Sequence, residues 1–135
     1  IDTNIILDLL VFADVATVPL RQALESGTLG WIATQPMRDE LERVLAYPQI
    51  VPRLAFYRLS AADVLAQFDG YVCVVAVAPK ASAVCKDADD QKFIDLAVAR
   101  QARLLSKDRA VLCMKKRLLP WGVQVGPSLN RDSAV

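Results

Sequence analysis

Two aspartates, Asp2 and Asp108, each follow a short apolar segment and come just before a predicted helix. If those segments are strands of a parallel sheet, both carboxylates stand at its carboxyl edge, where ligands bind in α/β folds. Helix capping is the structural alternative for each aspartate taken alone, because Asp is a favoured N-cap residue. The two positions suggest a binding site without deciding between a ligand and a cap.

Two further acids, Glu40 and Asp90, lie beside apolar helix faces. Glu40 falls at the margin of the apolar stripe of a helix predicted over residues 36–46, and Asp90 precedes the inner face of a helix predicted over residues 90–101. Such a carboxylate needs a partner or a cation, because an unpaired buried charge is costly. An ion pair with a distant Arg or Lys would satisfy Glu40, and an ordinary N-cap would explain Asp90.

Four carboxylates that converge on one crevice repel each other, and a hard divalent cation bound to oxygen ligands resolves that repulsion. The sequence contains no histidine, and its three cysteines are widely spaced. Both facts count against zinc, so the predicted ion is Mg²⁺ or Mn²⁺. The absence of histidine also excludes a Ser-His-Asp or Cys-His nucleophile, which leaves carboxylates, lysines, hydroxyls or a metal ion to carry any chemistry.

Short apolar segments alternate with amphipathic helices along the chain, which predicts a mostly parallel sheet with helices on both faces, a three-layer αβα fold. Strands are predicted at residues 29–33, 71–77, 103–105 and 123–125, and helices at 4–11, 18–25, 36–46, 60–68, 90–101 and 109–118. The segment at 71–77 is rich in Val and Tyr and is expected to be buried.

The bulk composition predicts one domain over residues 1–135, with an irregular tail after about residue 126. No apolar run approaches the roughly 20 residues that cross a bilayer, no signal peptide is visible, and the odd number of cysteines fits reduced thiols. A cytoplasmic protein that does not contact membranes is therefore expected. The net charge of +1 gives no indication of partners. The chain begins at Ile1 without Met, directly before Asp2, and we expect the first strand to extend beyond it.

The order and spacing of four short motifs resemble those of the PIN-domain nucleases, in particular the toxins of toxin–antitoxin pairs, over the chain as far as about Val125. The motifs are Ile1-Asp2-Thr3-Asn4, Asp39-Glu40-Leu41, Lys86-Asp87-Ala88-Asp89-Asp90-Gln91-Lys92-Phe93 and Leu104-Leu105-Ser106-Lys107-Asp108. The resemblance implies a four- or five-stranded parallel sheet. It also implies a carboxylate pocket that binds one or two Mg²⁺ or Mn²⁺ ions. The implied activity is endonucleolytic cleavage of single-stranded RNA, by in-line attack of a metal-activated water on a phosphodiester.

Residue by residue, the resemblance makes Asp2, Glu40, Asp90 and Asp108 the catalytic and metal-binding quartet. The residues expected to support the quartet are Thr3, Asn4, Asp87 and Ser106. Toxins of this type pair with a small antitoxin protein and often form homodimers, so both are candidate partners beside the RNA substrate. The apolar helices near the N-terminus and around residues 55–65 could serve such contacts, or could simply complete the core.

One departure from the family pattern keeps an alternative open. Lys107 stands where the family usually has glycine. It could contact an RNA phosphate, or it could indicate a catalytically silent PIN-like module that binds RNA or protein. Phosphoryl-transfer folds fit less well. A haloacid-dehalogenase-type phosphatase needs an aspartate where Asn4 stands, and a response-regulator receiver needs an acidic pair where Asp2 stands alone.

Overall fold

The computed structural model describes residues 1–129, and residues 130–135 of the predicted tail lie outside the described part. The α-helices are α1 (Thr3–Leu10), α2 (Val18–Glu25), α3 (Gln35–Leu45), α4 (Val51–Phe56), α5 (Ala61–Tyr71), α6 (Gln91–Arg100), α7 (Arg109–Leu112) and α8 (Lys115–Leu118). The strands are β1 (Trp31–Ala33), β2 (Val72–Val74), β3 (Leu104–Leu105) and β4 (Val125–Gly126), and short 3-10 turns span Val15–Thr17, Ala88–Asp90 and Leu119–Trp121. The chain divides into two compact units, one formed by Ile6–Ala76 and the other by Ile1–Ile5 together with the chain from Val77 onward.

In the unit Ile6–Ala76, β1 pairs with β2 in parallel, with Trp31 opposite Val72 and Ala33 opposite Val74. Helices α3 and α5 contact each other, and α5 contacts β2. The Trp31 ring packs edge-on against the Phe68 ring of α5, with 5.2 Å between ring centroids. Large apolar side chains that are almost fully buried complete this core: Leu9, Leu41, Leu45, Val64 and Phe68.

Local signals explain where the helices of this unit begin. The Ser60 hydroxyl accepts the Asp63 N–H while the Asp63 carboxylate accepts the Ser60 N–H, a capping box that starts α5 as predicted. Proline in the first turn starts α3. Helix α4 is not among the predicted helices. Pro52, which can also end a preceding helix, lies in the first turn of α4, where proline is tolerated.

In the other unit, β3 pairs with β4 in parallel, with Leu104 opposite Val125. Helix α6 contacts β3, and both α7 and α8 contact β4. The segment 109–118, predicted as one helix, forms two short helices, α7 and α8. The buried apolar side chains of this unit include Phe93, Ile94, Leu104, Val111, Met114, Leu118 and Val123.

The prediction of an α/β fold with parallel strands is confirmed, but each sheet in residues 1–129 has only two strands. A four- or five-stranded sheet is not confirmed. The expectation that residues 71–77 form a buried strand was wrong, because Cys73 and Val74 of β2 are exposed. Among the described residues no single helix is long and apolar enough to span a membrane; α1 and the segment 15–25 reach that length and composition only when they are taken together as a bent pair.

Candidate metal centre

Three aspartates of one unit are positioned by the ends of three different elements. Asp2 lies directly before α1, and its backbone N–H donates to the carbonyl of Leu105 at 2.8 Å, which ties it to the end of β3. Asp90 ends the 3-10 turn that leads into α6. Asp108 follows β3 by three residues and occupies the N-cap of α7. Because strand ends and helix starts of one compact unit meet here, residues far apart in sequence come together.

The three side chains form a compact carboxylate cluster. One carboxylate oxygen from each of Asp2, Asp90 and Asp108 lies within 4.8 Å of the other two. Asp2 and Asp90 are only 4% and 7% exposed, whereas Asp108 is half-buried. Three acids at this separation repel each other strongly unless protons or a cation compensate their charge.

Ser106 connects two members of the cluster. Its hydroxyl, fully buried, donates to Oδ2 of Asp2 at 2.6 Å and accepts the backbone N–H of Asp108 at 3.0 Å. Asp2 also accepts the backbone N–H of Thr3, and Oδ1 of Asp108 accepts the N–H of Ala110 at 2.9 Å. Neutral hydrogen-bond donors thus orient the carboxylates of Asp2 and Asp108.

Asp90 differs from its neighbours because its Oδ2 is buried and has no hydrogen-bond partner among the described residues. Its side chain makes no capping hydrogen bond to α6, although Asp90 occupies the N-cap position. It can share a hydrogen bond with Asp108 only when one of the two carboxyls carries a proton. Capping therefore accounts for Asp108 but not for Asp90. A buried, unpartnered carboxylate oxygen beside two other acids is a donor set that fits a hard divalent cation.

The electrostatics of the cluster also favour a bound cation. Burial, the hydrogen bond with Asp108 and the charges of Asp2 and Asp108 together raise the pKa of Asp90 to about 7. Burial also raises the pKa of Asp2 above its usual value, although the Ser106 hydroxyl and the Thr3 N–H oppose that shift. Without a cation, the cluster reduces its repulsion by holding a proton near neutral pH, and a bound cation would displace that proton.

A family model described as a PIN domain matches residues 1–110, which is most of the chain. The chain belongs to the PIN-domain family. PIN domains are generally nucleases and typically use divalent metal ions. No curated protein and no solved structure matches the sequence.

Of the predicted acidic quartet of this PIN domain, the structure brings together Asp2, Asp90 and Asp108. Glu40 lies half-buried on α3, in the unit Ile6–Ala76, and the cluster of three does not include it. Its assignment to the metal site stays a prediction.

The residues predicted to support the quartet have different surroundings. Thr3 is buried and contributes its N–H to Asp2, whereas Asn4 is exposed. Asp87 is exposed, and its Oδ1 accepts the N–H of Asp89 at 2.9 Å, so it caps the 3-10 turn. The negative charge of Asp87 also contributes to the raised pKa of Asp90. Lys107 is exposed on the loop between β3 and α7.

One residue that matters for the loop before Asp90 was missed. Gln91 accepts the Cys85 N–H at 2.7 Å and donates to the Ala83 carbonyl at 3.0 Å and to Asp95 at 2.8 Å. Asp95 is half-buried and also accepts the Ala81 N–H at 2.8 Å. The signal was present in the sequence, since residues four apart on a helix lie side by side and a Gln–Asp pair at this spacing can hydrogen-bond.

Proposed function

We propose that this PIN domain is a Mg²⁺- or Mn²⁺-dependent endoribonuclease that cleaves single-stranded RNA. One observation carries the proposal: three carboxylate oxygens lie within 4.8 Å of one another, and one of the three acids, Asp90, has a buried oxygen without a partner. Membership in a family of nucleases that typically use divalent metals agrees with this donor set. The four- or five-stranded parallel sheet expected for such a nuclease is part of the same proposal.

In this proposal Asp2, Asp90 and Asp108 hold the cation. When bound, a divalent cation lowers the pKa of a water molecule and stabilises negative charge on the scissile phosphate. Ser106 orients Asp2 by its hydroxyl and fixes the backbone at Asp108, so the ligands require little rearrangement. Asp90 gives up its proton on metal binding, and exposed Lys107 contacts a phosphate of the RNA chain. Glu40 is proposed as the fourth acid.

We further propose that the chain is the toxin of a toxin–antitoxin pair, acts in the cytoplasm, and binds a small antitoxin or a second copy of itself. The motifs shared with such toxins support this role. Exposed apolar side chains of the unit Ile6–Ala76 give such a partner a surface to cover, since Phe56 is 80% exposed and Val15 is 83% exposed.

The decisive experiment is a calorimetric titration of Mn²⁺ into the purified protein, its Asp90→Asn variant and the Asp89→Asn control. Asp89 is exposed and adjacent, so its replacement removes the same charge outside the cluster. We expect saturable binding in the wild type and the control, and its loss in Asp90→Asn. No binding up to millimolar Mn²⁺ would overturn the catalytic proposal and favour a silent PIN-like module that binds RNA or protein.

A pool of single-stranded RNAs of varied sequence then tests the reaction. Incubation with Mn²⁺ should give fragments that disappear with a chelator and with Asp90→Asn but persist with Asp89→Asn. Circular RNA in the same pool separates endonucleolytic from exonucleolytic cleavage, because only an endonuclease can open a circle. A protein that binds Mn²⁺ yet leaves every RNA intact would argue against the ribonuclease assignment.

A further inference from the structure

Two cysteines of one unit converge on a single backbone carbonyl. The Cys85 thiol donates to the carbonyl oxygen of Ala110 at 3.3 Å, and the Cys113 thiol donates to the same oxygen at 3.3 Å. The two sulfurs are therefore separated by no more than twice that distance. No local pattern pairs these two cysteines, because they lie far apart in the chain and form no C-x-x-C motif.

The two thiols differ in their access to solvent. Cys85 is 5% exposed, whereas Cys113 is exposed and lines a cleft of about 530 Å³ together with Lys86, Arg109 and Leu112. Burial raises the pKa of the Cys85 thiol. Cys113 is thus the sulfur that a small oxidant reaches first, and Cys85 is protected from solution while it remains close to Cys113.

Both cysteines are connected to the carboxylate cluster through short hydrogen bonds. The Cys85 N–H donates to Gln91, the residue after Asp90, at 2.7 Å. The Ala110 N–H donates to Asp108 at 2.9 Å, so the residue whose carbonyl accepts both thiols also fixes one of the clustered acids. A short path of bonds therefore joins each cysteine to Asp90 or Asp108.

We propose that Cys85 and Cys113 form a reversible disulfide in response to peroxide, and that this disulfide weakens metal binding at the carboxylate cluster. The effect on metal binding rests on the proposed function, whereas formation of the disulfide does not. In the first step the Cys113 sulfur attacks one oxygen of hydrogen peroxide, the O–O bond breaks, and the product is a sulfenic acid and one water. In the second step the Cys85 sulfur attacks the Cys113 sulfur, the S–O bond breaks, and a second water leaves. The two thiols lose two protons and two electrons, and the peroxide is reduced to two waters.

A disulfide requires the sulfurs to approach to about 2 Å, so the Ala110 carbonyl can no longer accept a hydrogen bond from either thiol. Helix α7, which carries Ala110, has only four residues and offers little resistance to movement. The cap that Asp108 forms on Ala110 is therefore the contact that the linkage disturbs. Changes in residues that orient metal ligands typically weaken metal binding about 10- to 100-fold, and we expect an effect of about 10-fold here.

The test treats the native protein with hydrogen peroxide and maps its disulfides by mass spectrometry after digestion. We expect a Cys85–Cys113 linkage that dithiothreitol reverses and that also forms in Cys73→Ser, since Cys73 lies in the other unit. Neither Cys85→Ser nor Cys113→Ser should form it. Accumulation of sulfinic acid at Cys113 without linkage, or linkage of Cys113 only to Cys73 of another molecule, would overturn the proposal.

Mn²⁺ titration of the reduced and oxidised proteins tests the effect of the disulfide on metal binding. Oxidation should weaken Mn²⁺ binding in the wild type and in Cys73→Ser but leave it unchanged in Cys113→Ser. Equal affinity of the linked and reduced wild-type proteins would overturn the regulatory role. If the reduced protein binds no Mn²⁺, the proposed function and the regulation of the site both fail, while the peptide map still decides whether the disulfide forms.

Discussion

Replacing Asp90 with asparagine should make the metal-free protein more stable at pH 8, although the change removes a residue of the proposed site. Burial and the neighbouring Asp108 and Asp2 raise the pKa of Asp90 from 3.8 to about 7. In the unfolded chain Asp90 ionises near its usual pKa, so between these two pH values the folded protein binds a proton that the unfolded chain has lost. The stability of the wild type therefore falls as the pH rises from about 4 to about 7.

The size of this effect follows from the two pKa values. At about 1.36 kcal/mol per pKa unit, the full shift corresponds to about 4 kcal/mol. Asp108 is half-buried, so water reaches the cluster and screens part of the repulsion. We therefore retain about half of this free energy. Between the two pH values the wild type should lose about 2 kcal/mol of stability that Asp90→Asn keeps. With a urea m-value of about 1.5 kcal/mol/M, this is a midpoint difference of about 1 M.

The assay is urea unfolding, followed by circular dichroism in the presence of a chelator, at several pH values between about 4 and 8. The wild type and the Asp89→Asn control should lose stability in parallel as the pH rises, and Asp90→Asn should lose about 2 kcal/mol less. At pH 8, Mn²⁺ at about 100 times its Kd should stabilise the wild type and the control by about 2.7 kcal/mol, and Asp90→Asn hardly at all.

Two results would refute this reasoning. If metal-free Asp90→Asn is less stable than the wild type at pH 8, then Asp90 contributes a favourable contact, and its charge is not a source of repulsion. If the stability difference between the two proteins does not change with pH, the Asp90 carboxyl has an ordinary pKa, and the cluster does not hold a proton near neutral pH.

Three other substitutions test the roles of Ser106, Lys107 and Ser60. Ser106→Ala removes one buried and one partly buried hydrogen bond and should lower the free energy of unfolding by about 2–3 kcal/mol in urea unfolding. Because the hydroxyl lowers the pKa of Asp2, Mn²⁺ binding should weaken more near pH 6 than at pH 8, and equal loss at both pH values would contradict this. Lys107→Ala should leave the Mn²⁺ affinity unchanged and should reduce the number of ions released on binding single-stranded RNA by about one, measured as the slope of log K against log salt concentration. An unaltered slope would argue against a phosphate contact. Ser60→Ala removes the hydroxyl that accepts the Asp63 N–H and should lower the free energy of unfolding by about 1 kcal/mol. Mn²⁺ binding should not change, and a loss of binding would show that α5 acts on the site.

Where local rules apply, the sequence predicted the fold well. The helices predicted to begin at residues 60 and 36 correspond to α5 and α3, because capping and a proline in the first turn depend only on neighbouring residues. The same local reasoning failed at Pro52, since a proline that ends one helix also suits the first turn of the next. It failed again at β2, where Val and Tyr indicated a strand but not which side chains would be covered.

For the candidate site, the residue types and their order along the chain predict the chemistry of the donors and their places at strand ends and helix starts. The chain has no histidine, and the three acids Asp2, Asp90 and Asp108 at such places offer a cation carboxylate oxygens. At Asp90 and Asp108 the sequence could not separate a cap from a ligand, because both alternatives place the same residue type at the same helix position.

Packing of the folded chain, and no local pattern, shows which acids converge, which of their oxygens lacks a partner and where a proton is held. The hydrogen bond from Ser106 to Asp2 joins residues 104 positions apart, and the thiols of Cys85 and Cys113 meet at the carbonyl of Ala110. Contacts of this kind arise when strands and helices distant in sequence pack together, and no local pattern encodes them. The raised pKa of Asp90 depends on the same packing, because burial and neighbouring charges exist only in the folded chain.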